Sequence, residues 1–355
     1  MIATLKRPRV LVAVVGLAAL LAACGSSSGG GSGSSSTLDG GGSSFQKNFD
    51  EAVIAAYADK NPDVTVNYAA SSSGTGKSAL QTKTIDWAGS DSLPKPDELS
   101  SYQGGKLLYF PTVAAPITVS YNLPSVKTLK LSGDTLAKIF ALKIKKWNDP
   151  AIAKDNSGVS LPSTSITVAR RADASGTTSN FTKFLEQVDP TDWTLGHGDT
   201  VNWASLPGTT QGGTKSGGVA QIVKGKEGAV GYVDLADATG SKLQTAEIEN
   251  KAGKFVAPTV EGAAAAVAGA KLSPDLSYDP INAPGPNAYP ITSPTWILAY
   301  ATQSSADKGT ALKAFLSYIY TDGEGMANAA GYAPLPASVI AKAQAQLNKL
   351  QIPTS

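Results

Sequence analysis

The sequence is poor in the groups on which most enzymes and metal proteins rely. It holds one cysteine, Cys24, and one histidine, His197. A lone cysteine excludes an internal disulfide framework. A lone histidine, in "LGHGDT", would have to serve any Ser–His–Asp or Cys–His apparatus, and no G-x-S-x-G nucleophile elbow accompanies it. It reads as a loop residue. Metal sites need clustered His, Cys or carboxylates at short spacing, and the carboxylates here are scattered. No metal and no cofactor is expected. Charge is scarce too: 16% of the residues are charged and the net charge is +2. No Lys/Arg cluster offers a nucleic-acid surface. Beyond Cys24 no apolar run is long enough to span a membrane. These absences favour binding over turnover.

The first residues read as processed sequence. "MIATLKRPR" carries Lys6, Arg7 and Arg9, and the apolar run "VLVAVVGLAALLAA" is short for a membrane span but suits a signal-peptide core. The run ends in "LAAC", which resembles the bacterial lipoprotein box. That resemblance implies a signal peptide over residues 1–23 and a lipid on Cys24, anchoring the protein on the extracytoplasmic face of a membrane. The Ser/Gly stretch that follows, to residue 37, has nothing to bury and is expected to be a flexible tether reaching about 20 Å.

From residue 38 onward the chain is long enough for two domains. Residues 43–62 carry Phe49, Val53, Ala56 and Tyr57 at helical spacing, closed by Pro62. "DVTVNYAA" alternates as a strand does, "SGTGKSALQT" opens a second helix, and "TIDWAGSD" is a short strand ending at Asp91. "LLYFPTV" and "APITVSYNL" read as two buried strands, and "SGDTLAKIFALKIKKW" as one capped helix. "ITVARRAD" is a strand feeding the turn "ASGTT" and a helix with Phe181, Phe184, Leu185 and Val188 on one face. "GAVGYVDL" and "PTWILAYA" are further strands, and the chain ends in helices broken at "GYAPLP". This is an α/β pattern, with sheets expected to be mostly parallel.

Three polar turns precede helices: "GGGSSF", "SSSGTG" and "RRADASGTT". Free N–H groups and a partial positive charge at a helix start suit an anion. Each turn alone is an ordinary cap. Three together, with a strand-end Asp and an Arg among them, make an anion site. "SSSGTGKSAL" also looks like a damaged P-loop, G-x-x-x-x-G-K-[ST], but the position of its first Gly is held by Ser71. Lys77 is then a solvated residue of the helix, and Arg170, on the far face of its strand from Arg171, lies at the surface.

The segments "GGGSSF", "VNYAASSSGTG", "DWAGSD", "FPTVAAPITVSYNLP", "ITVARRADASGTTSNFTKFL", "EGAVGYVDLADA" and "YPITSPTWIL" resemble, in order and spacing, the substrate-binding lipoproteins of high-affinity phosphate ABC transporters. The resemblance implies a two-lobed α/β fold of the periplasmic-binding-protein type (type II), with the ligand between the lobes. It places the chain crossings near Val119–Tyr121 and Ala288–Pro290, giving lobe 1 as residues 38–119 plus 290–355 and lobe 2 as 120–289. It implies that the protein is not an enzyme, that it binds inorganic phosphate, and that it delivers this to permease subunits driven by an ATPase. By the same resemblance Ser44 offers its hydroxyl and Phe45 its backbone N–H. Ser73, Asp91, Arg171, Ser175, Gly176 and Thr177 complete the phosphate contacts, and Asp173 pairs with Arg171. Two positions depart from the family: Gln46 stands where Pro is common, and Ser72 where Gly is. A binding protein for another oxyanion, such as sulfate or molybdate, and an anchored phosphohydrolase remain as alternatives.

Overall fold

The computed structural model describes residues 36–354, so the signal peptide, Cys24 and nearly all of the tether lie outside the described residues. Strand β1 (Ser36–Ser43) leads into helix α1 (Lys47–Lys60), and β2 (Val64–Ser71) into α2 (Ser73–Gln81), followed by β3 (Trp87–Ser90). Ser36 and Thr37, assigned to the tether from sequence, already pair with Val64 and Thr65 as part of β1. A 15-residue strand, β4 (Leu107–Tyr121), comes next. Then follow β5 (Lys130–Leu131), α3 (Gly133–Phe140), α4 (Pro150–Asp155), β6 (Thr167–Arg171) and α5 (Gly176–Val188). After them come β7 (Gln211–Gly213), α6 (Lys215–Gly225), β8 (Ala229–Asp234) and α7 (Leu235–Gly240). Short strands β9 (Gln244–Thr245), β10 (Glu247–Glu249) and β11 (Phe255–Val256) precede α8 (Val260–Ala268). The chain closes with β12 (Thr292–Tyr300), α9 (Ala306–Thr321), β13 (Ala333–Pro334) and α10 (Ala337–Gln346).

The main sheet runs β2-β1-β3-β12-β4-β8-β6-β7. Its flanks are parallel: β1 with β2 and β3, and β6 with β7 and β8. Its centre, β3-β12-β4-β8, is antiparallel. The sheet is therefore mixed, not mostly parallel. The central strands are buried on both faces, and a strand buried on both faces lacks the alternation that marks an antiparallel, half-solvated one.

Strand β4 holds the two halves of the sheet together. Up to Pro116 it pairs with β12, and from Ile117 to Tyr121 it pairs with β8. "LLYFPTV" and "APITVSYNL" are thus one strand and not two. Proline cannot donate to a ladder. Pro116 is the last residue before the change of partner, and the ladder slips in register between Pro294 and Trp296, which pairs with Pro111. The prolines sit where the ladder is already interrupted.

Helix α3 is shorter than its sequence suggests. Leu142 adopts φ +58°, and the N–H of Lys143 returns to the carbonyl of Lys138 at 2.9 Å, so the helix is closed before "KIKKW". A left-handed C-cap is usually glycine, and Leu in that place conceals the stop. Helix α1 buries Phe49, Val53 and Tyr57, and α5 buries Phe181, Phe184 and Leu185, as their spacing predicts. Among the described residues no helix is long and apolar enough to cross a membrane.

Candidate functional site

The three polar turns lie at the carboxyl ends of β1, β2 and β6, the side on which open α/β sheets bind ligands, and the structure brings them together. In the first turn Ser43 Oγ accepts the N–H of Phe45 at 3.0 Å, and Tyr68 Oη donates to the Ser43 carbonyl at 2.7 Å. The Phe45 ring is fully buried and meets Tyr332 edge-on. Gln46, in place of the family's Pro, is buried and donates from Nε2 to Asp50 at 2.8 Å, so the turn is tied down by its side chain instead of a ring. Ser44 Oγ accepts from the N–H of Ser216, in the first turn of α6, at 3.4 Å.

In the second turn Ser72 has φ −147° and ψ 157°, extended backbone that needs no glycine, and its Oγ caps α2 by accepting from Thr75 N–H at 3.2 Å. Ser73 is buried at the start of α2, and its hydroxyl donates to Asp91 Oδ1. Asp91 directly follows β3 and is 1% exposed. Its other oxygen, Oδ2, accepts from Thr177 Oγ1 of the third turn at 2.8 Å. Asp91 is therefore held by one hydroxyl from each half of the sheet.

In the third turn the Arg171 guanidinium makes a two-pronged contact with Asp173, Nε to Oδ1 at 2.7 Å and Nη2 to Oδ2 at 2.6 Å. That uses one edge of the planar fork and leaves the Nη1/Nη2 edge for a second acceptor. Burial works against the charge on both partners. The pairing outweighs it, so Arg171 is raised above and Asp173 lowered below its ordinary value. Ser175 Oγ caps α5 by accepting from Thr178 N–H. A Cβ on Gly176 would stand 2.8 Å from Asp91 Cγ and 2.8 Å from Ser73 Oγ, so only glycine permits this approach. The first turn of α2 also meets the turn that leads into α5, Gly74 N–H donating to the Ala174 carbonyl at 3.1 Å.

Two expectations fail here. Lys77 is buried, not solvated: its Nζ lies 2.8 Å from Asp199 Oδ2 and donates to Ser92 Oγ at 3.1 Å. The face of α2 that carries it turns into the cleft. Arg170 is half-buried, its Nε on Thr210 Oγ1 at 3.0 Å and its guanidinium 6.0 Å from the Trp203 ring centroid. His197 is an exposed loop residue whose Nδ1 meets Glu186. Three contributors escaped the sequence reading. Asn180, one turn into α5, bridges the Asp91 carbonyl and Ser293 Oγ. Lys215 sends Nζ to the Ala70 carbonyl at 2.7 Å and its N–H to Asp173 at 3.3 Å. Asp199 is the third. The Gly-rich run "QGGTKSGG", which leads into and opens α6, was a usable signal for Lys215 and Ser216; nothing local marked Asn180 or Asp199. Beside Asp91 the cleft opens into a cavity of about 910 Å³, bordered by Lys77, Lys95, Asn180, Asp199, Tyr278 and Trp296.

A model of the PBP superfamily domain matches residues 27–323. The phosphate-binding protein PstS of Pasteurella multocida is 39% identical over 298 residues, covering 82% of this chain and 84% of the relative. PstS of Haemophilus influenzae is 35% identical over 298 residues, covering 82% and 87%. PstS 2 of Mycobacterium tuberculosis is 35% identical over 320 residues, covering 87% and 85%. Among solved structures, the periplasmic phosphate-binding protein PfluDING superposes with a TM-score of 0.73 at 22% identity, covering 87% of this chain and 93% of that one. That likeness establishes the two-lobed fold. With the order and contacts of its three turns, the chain belongs to the PstS phosphate-binding proteins of the PBP superfamily, a family of solute binders and not of enzymes.

Proposed function

We propose that the protein binds inorganic phosphate in the cleft around Asp91 and delivers it to the permease of an ABC transporter. The observation that carries this reading is the convergence on Asp91 of Ser73 from one side and Thr177 from the other, beside an arginine with a free edge. Phosphate is held by the Ser44 and Ser73 hydroxyls, the Nη1/Nη2 edge of Arg171, and the donors of Ser175, Gly176 and Thr177. The N–H of Phe45 exchanges Ser43 Oγ for the anion. Asp173 keeps the arginine oriented. Near neutral pH phosphate retains a proton that it can donate to Asp91; sulfate has none to give.

The lobes comprise residues 38–119 with 290–355, and residues 120–289. The partner change along β4 supports that division. Cys24 carries the lipid anchor and the protein faces the extracytoplasmic side, a reading supported by "LAAC" and the preceding apolar run. Calorimetric titration with phosphate, sulfate and ATP tests the function. Phosphate alone should bind tightly; preferential sulfate binding would move the protein to another oxyanion, and heat from ATP hydrolysis would mark an enzyme.

A further inference from the structure

Resting on the phosphate cleft proposed above, we infer that Lys77, Ser92 and Asp199 form a latch across the lobes that sets ligand affinity without touching the ligand. The three side chains close a triangle. Lys77 Nζ is 2.8 Å from Asp199 Oδ2, Ser92 Oγ donates to Asp199 Oδ1 at 2.7 Å, and Lys77 Nζ donates to Ser92 Oγ at 3.1 Å. Lys77 and Ser92 belong to lobe 1; Asp199 alone belongs to lobe 2. Opening the lobes must therefore break the triangle at both oxygens of Asp199 at once.

The side chains of Lys77 and Asp199 are only 10% and 18% exposed. Fully exposed pairs contribute little because water and salt screen them. This one is shielded enough to matter while the cleft is closed, and both charges regain water when it opens. The latch is also joined to the site at each corner. Lys77 lies one helical turn beyond Ser73 on α2. Ser92 follows Asp91 in the chain. The backbone carbonyl of Asp199 accepts the N–H of Ser175, the cap residue of α5, at 2.9 Å. Closing the latch seats the third turn against the second.

Among the described residues the opposite rim has no equivalent ion pair. There the exposed side chain of Lys215 reaches the neutral carbonyl of Ala70. A lysine at the end of a P-loop-like sequence invites a role as a phosphate ligand. Two of the three Nζ donors of Lys77 are already engaged, by a carboxylate and a hydroxyl. A group that biases closure and makes no ligand contact multiplies the affinity for every anion by the same factor, because it changes only the population of the binding-competent state. A group that touches the ligand changes the ratio between anions.

The test titrates phosphate and sulfate into wild type, Lys77→Met, Asp199→Asn and the double variant, with thermal melting to verify folding. Small-angle scattering of the same proteins is recorded without anion. Each single change should weaken both anions by about tenfold, within the span usual for coupled equilibria. The phosphate/sulfate ratio should hold constant, and the double variant should be no weaker than the weaker single. The anion-free variants should show a larger radius of gyration than wild type. The latch is overturned by unchanged affinities, by a changed anion ratio in Lys77→Met, by losses that multiply in the double variant, or by an unchanged radius. If wild type binds neither anion, the functional reading fails instead, and the anion-free radii still decide the latch. Should Lys77→Met fail to fold, Asp199→Asn carries the same comparisons.

Discussion

Two ion pairs flank the cleft, and they are alike in length and shielding but differ in where their partners come from. Arg171–Asp173 closes at 2.6 Å with side chains 2% and 19% exposed; Lys77–Asp199 closes at 2.8 Å with 10% and 18%. The first joins residues of one turn, so lobe motion cannot separate it. It fixes the direction of a fork. In the latch inferred above, the second joins the lobes, so opening them breaks it. Similar chemistry serves orientation in one place and conformational bias in the other, and distance or burial alone does not distinguish them. The deciding fact is whether both partners ride on the same rigid body.

The hardest way to break this contrast is at the fork. Arg171→Lys leaves one ammonium to serve Asp173 and the anion together, with no planar pair of donors for either. Phosphate affinity should fall by roughly 100-fold or more, since an interaction of this kind with a buried charge is worth a few kcal/mol. Calorimetry checks it, and a loss under about threefold would mean that Arg171 serves Asp173 alone. Next comes the carboxylate that both lobes grip. Asp91→Asn replaces an acceptor by an amide that can donate, and removes a charge facing the anion. A required hydrogen bond can separate analogues by about 10⁴–10⁵. The phosphate/sulfate ratio should therefore narrow by roughly tenfold or more, chiefly through sulfate gaining affinity. An unchanged ratio would shift selectivity onto the donors around Arg171.

Part of this candidate site was legible in the sequence. Three Ser/Gly turns before helices pointed together to an anion, though each alone is an ordinary cap. The resemblance to the phosphate-binding family, carried by short local motifs, then singled out Ser44, Ser73, Ser175, Arg171 and Asp173; residues inside such motifs could be named. Asp199 could not, because what makes it matter is a lysine on a distant helix. Lys77 read as solvated for the same reason: its spacing on α2 says nothing of what the second lobe lays over it. In the fold, β4 reads from sequence as two strands divided at Ala114, each containing one proline, Pro111 or Pro116. A proline normally demotes a strand, and only the partner change and the register slip in the ladder make room for these two. The mixed sheet was hidden because its antiparallel centre is buried on both faces.

A gentler lever on the comparison is salt. Arg171–Asp173 lies within one lobe, so screening it gains the open form nothing. The latch trades a shielded pair for two hydrated ions on opening, and added salt favours the hydrated state. Raising ionic strength should weaken phosphate binding by about twofold more in wild type than in the Lys77→Met/Asp199→Asn double variant. Titrations in sodium chloride over a tenfold concentration range read this difference, and parallel salt curves would remove the latch from the screened terms.

The smallest effect on binding is expected from charges that have no partner in either class. Asp50 and Glu324 are buried carboxyls with no cation beside them, and Asp50 Oδ1 and Glu324 Oε1 lack any hydrogen-bond partner. Burial pushes both up to about 8, against the lowering from Gln46 and Tyr68 at Asp50 and from the Leu335 N–H at Glu324. Unfolded, they titrate near 3.8 and 4.5. Between those values and about 8 the folded protein holds more protons than the unfolded chain. Their contribution to stability is therefore full below about pH 4 and is lost as pH rises through about 8. Each group can impose a slope of up to about 1.4 kcal/mol per pH unit across that window. Urea unfolding should find wild type less stable at pH 8 than at pH 5.5. In Asp50→Asn, where an amide takes the place of the protonated acid and cannot ionise, that difference should shrink by about 1 kcal/mol or more, while phosphate affinity at pH 7 changes by less than about twofold. Equal pH slopes in the two proteins would mean that Asp50 ionises in the fold despite its burial, and that Gln46 and Tyr68 suffice to hold the charge.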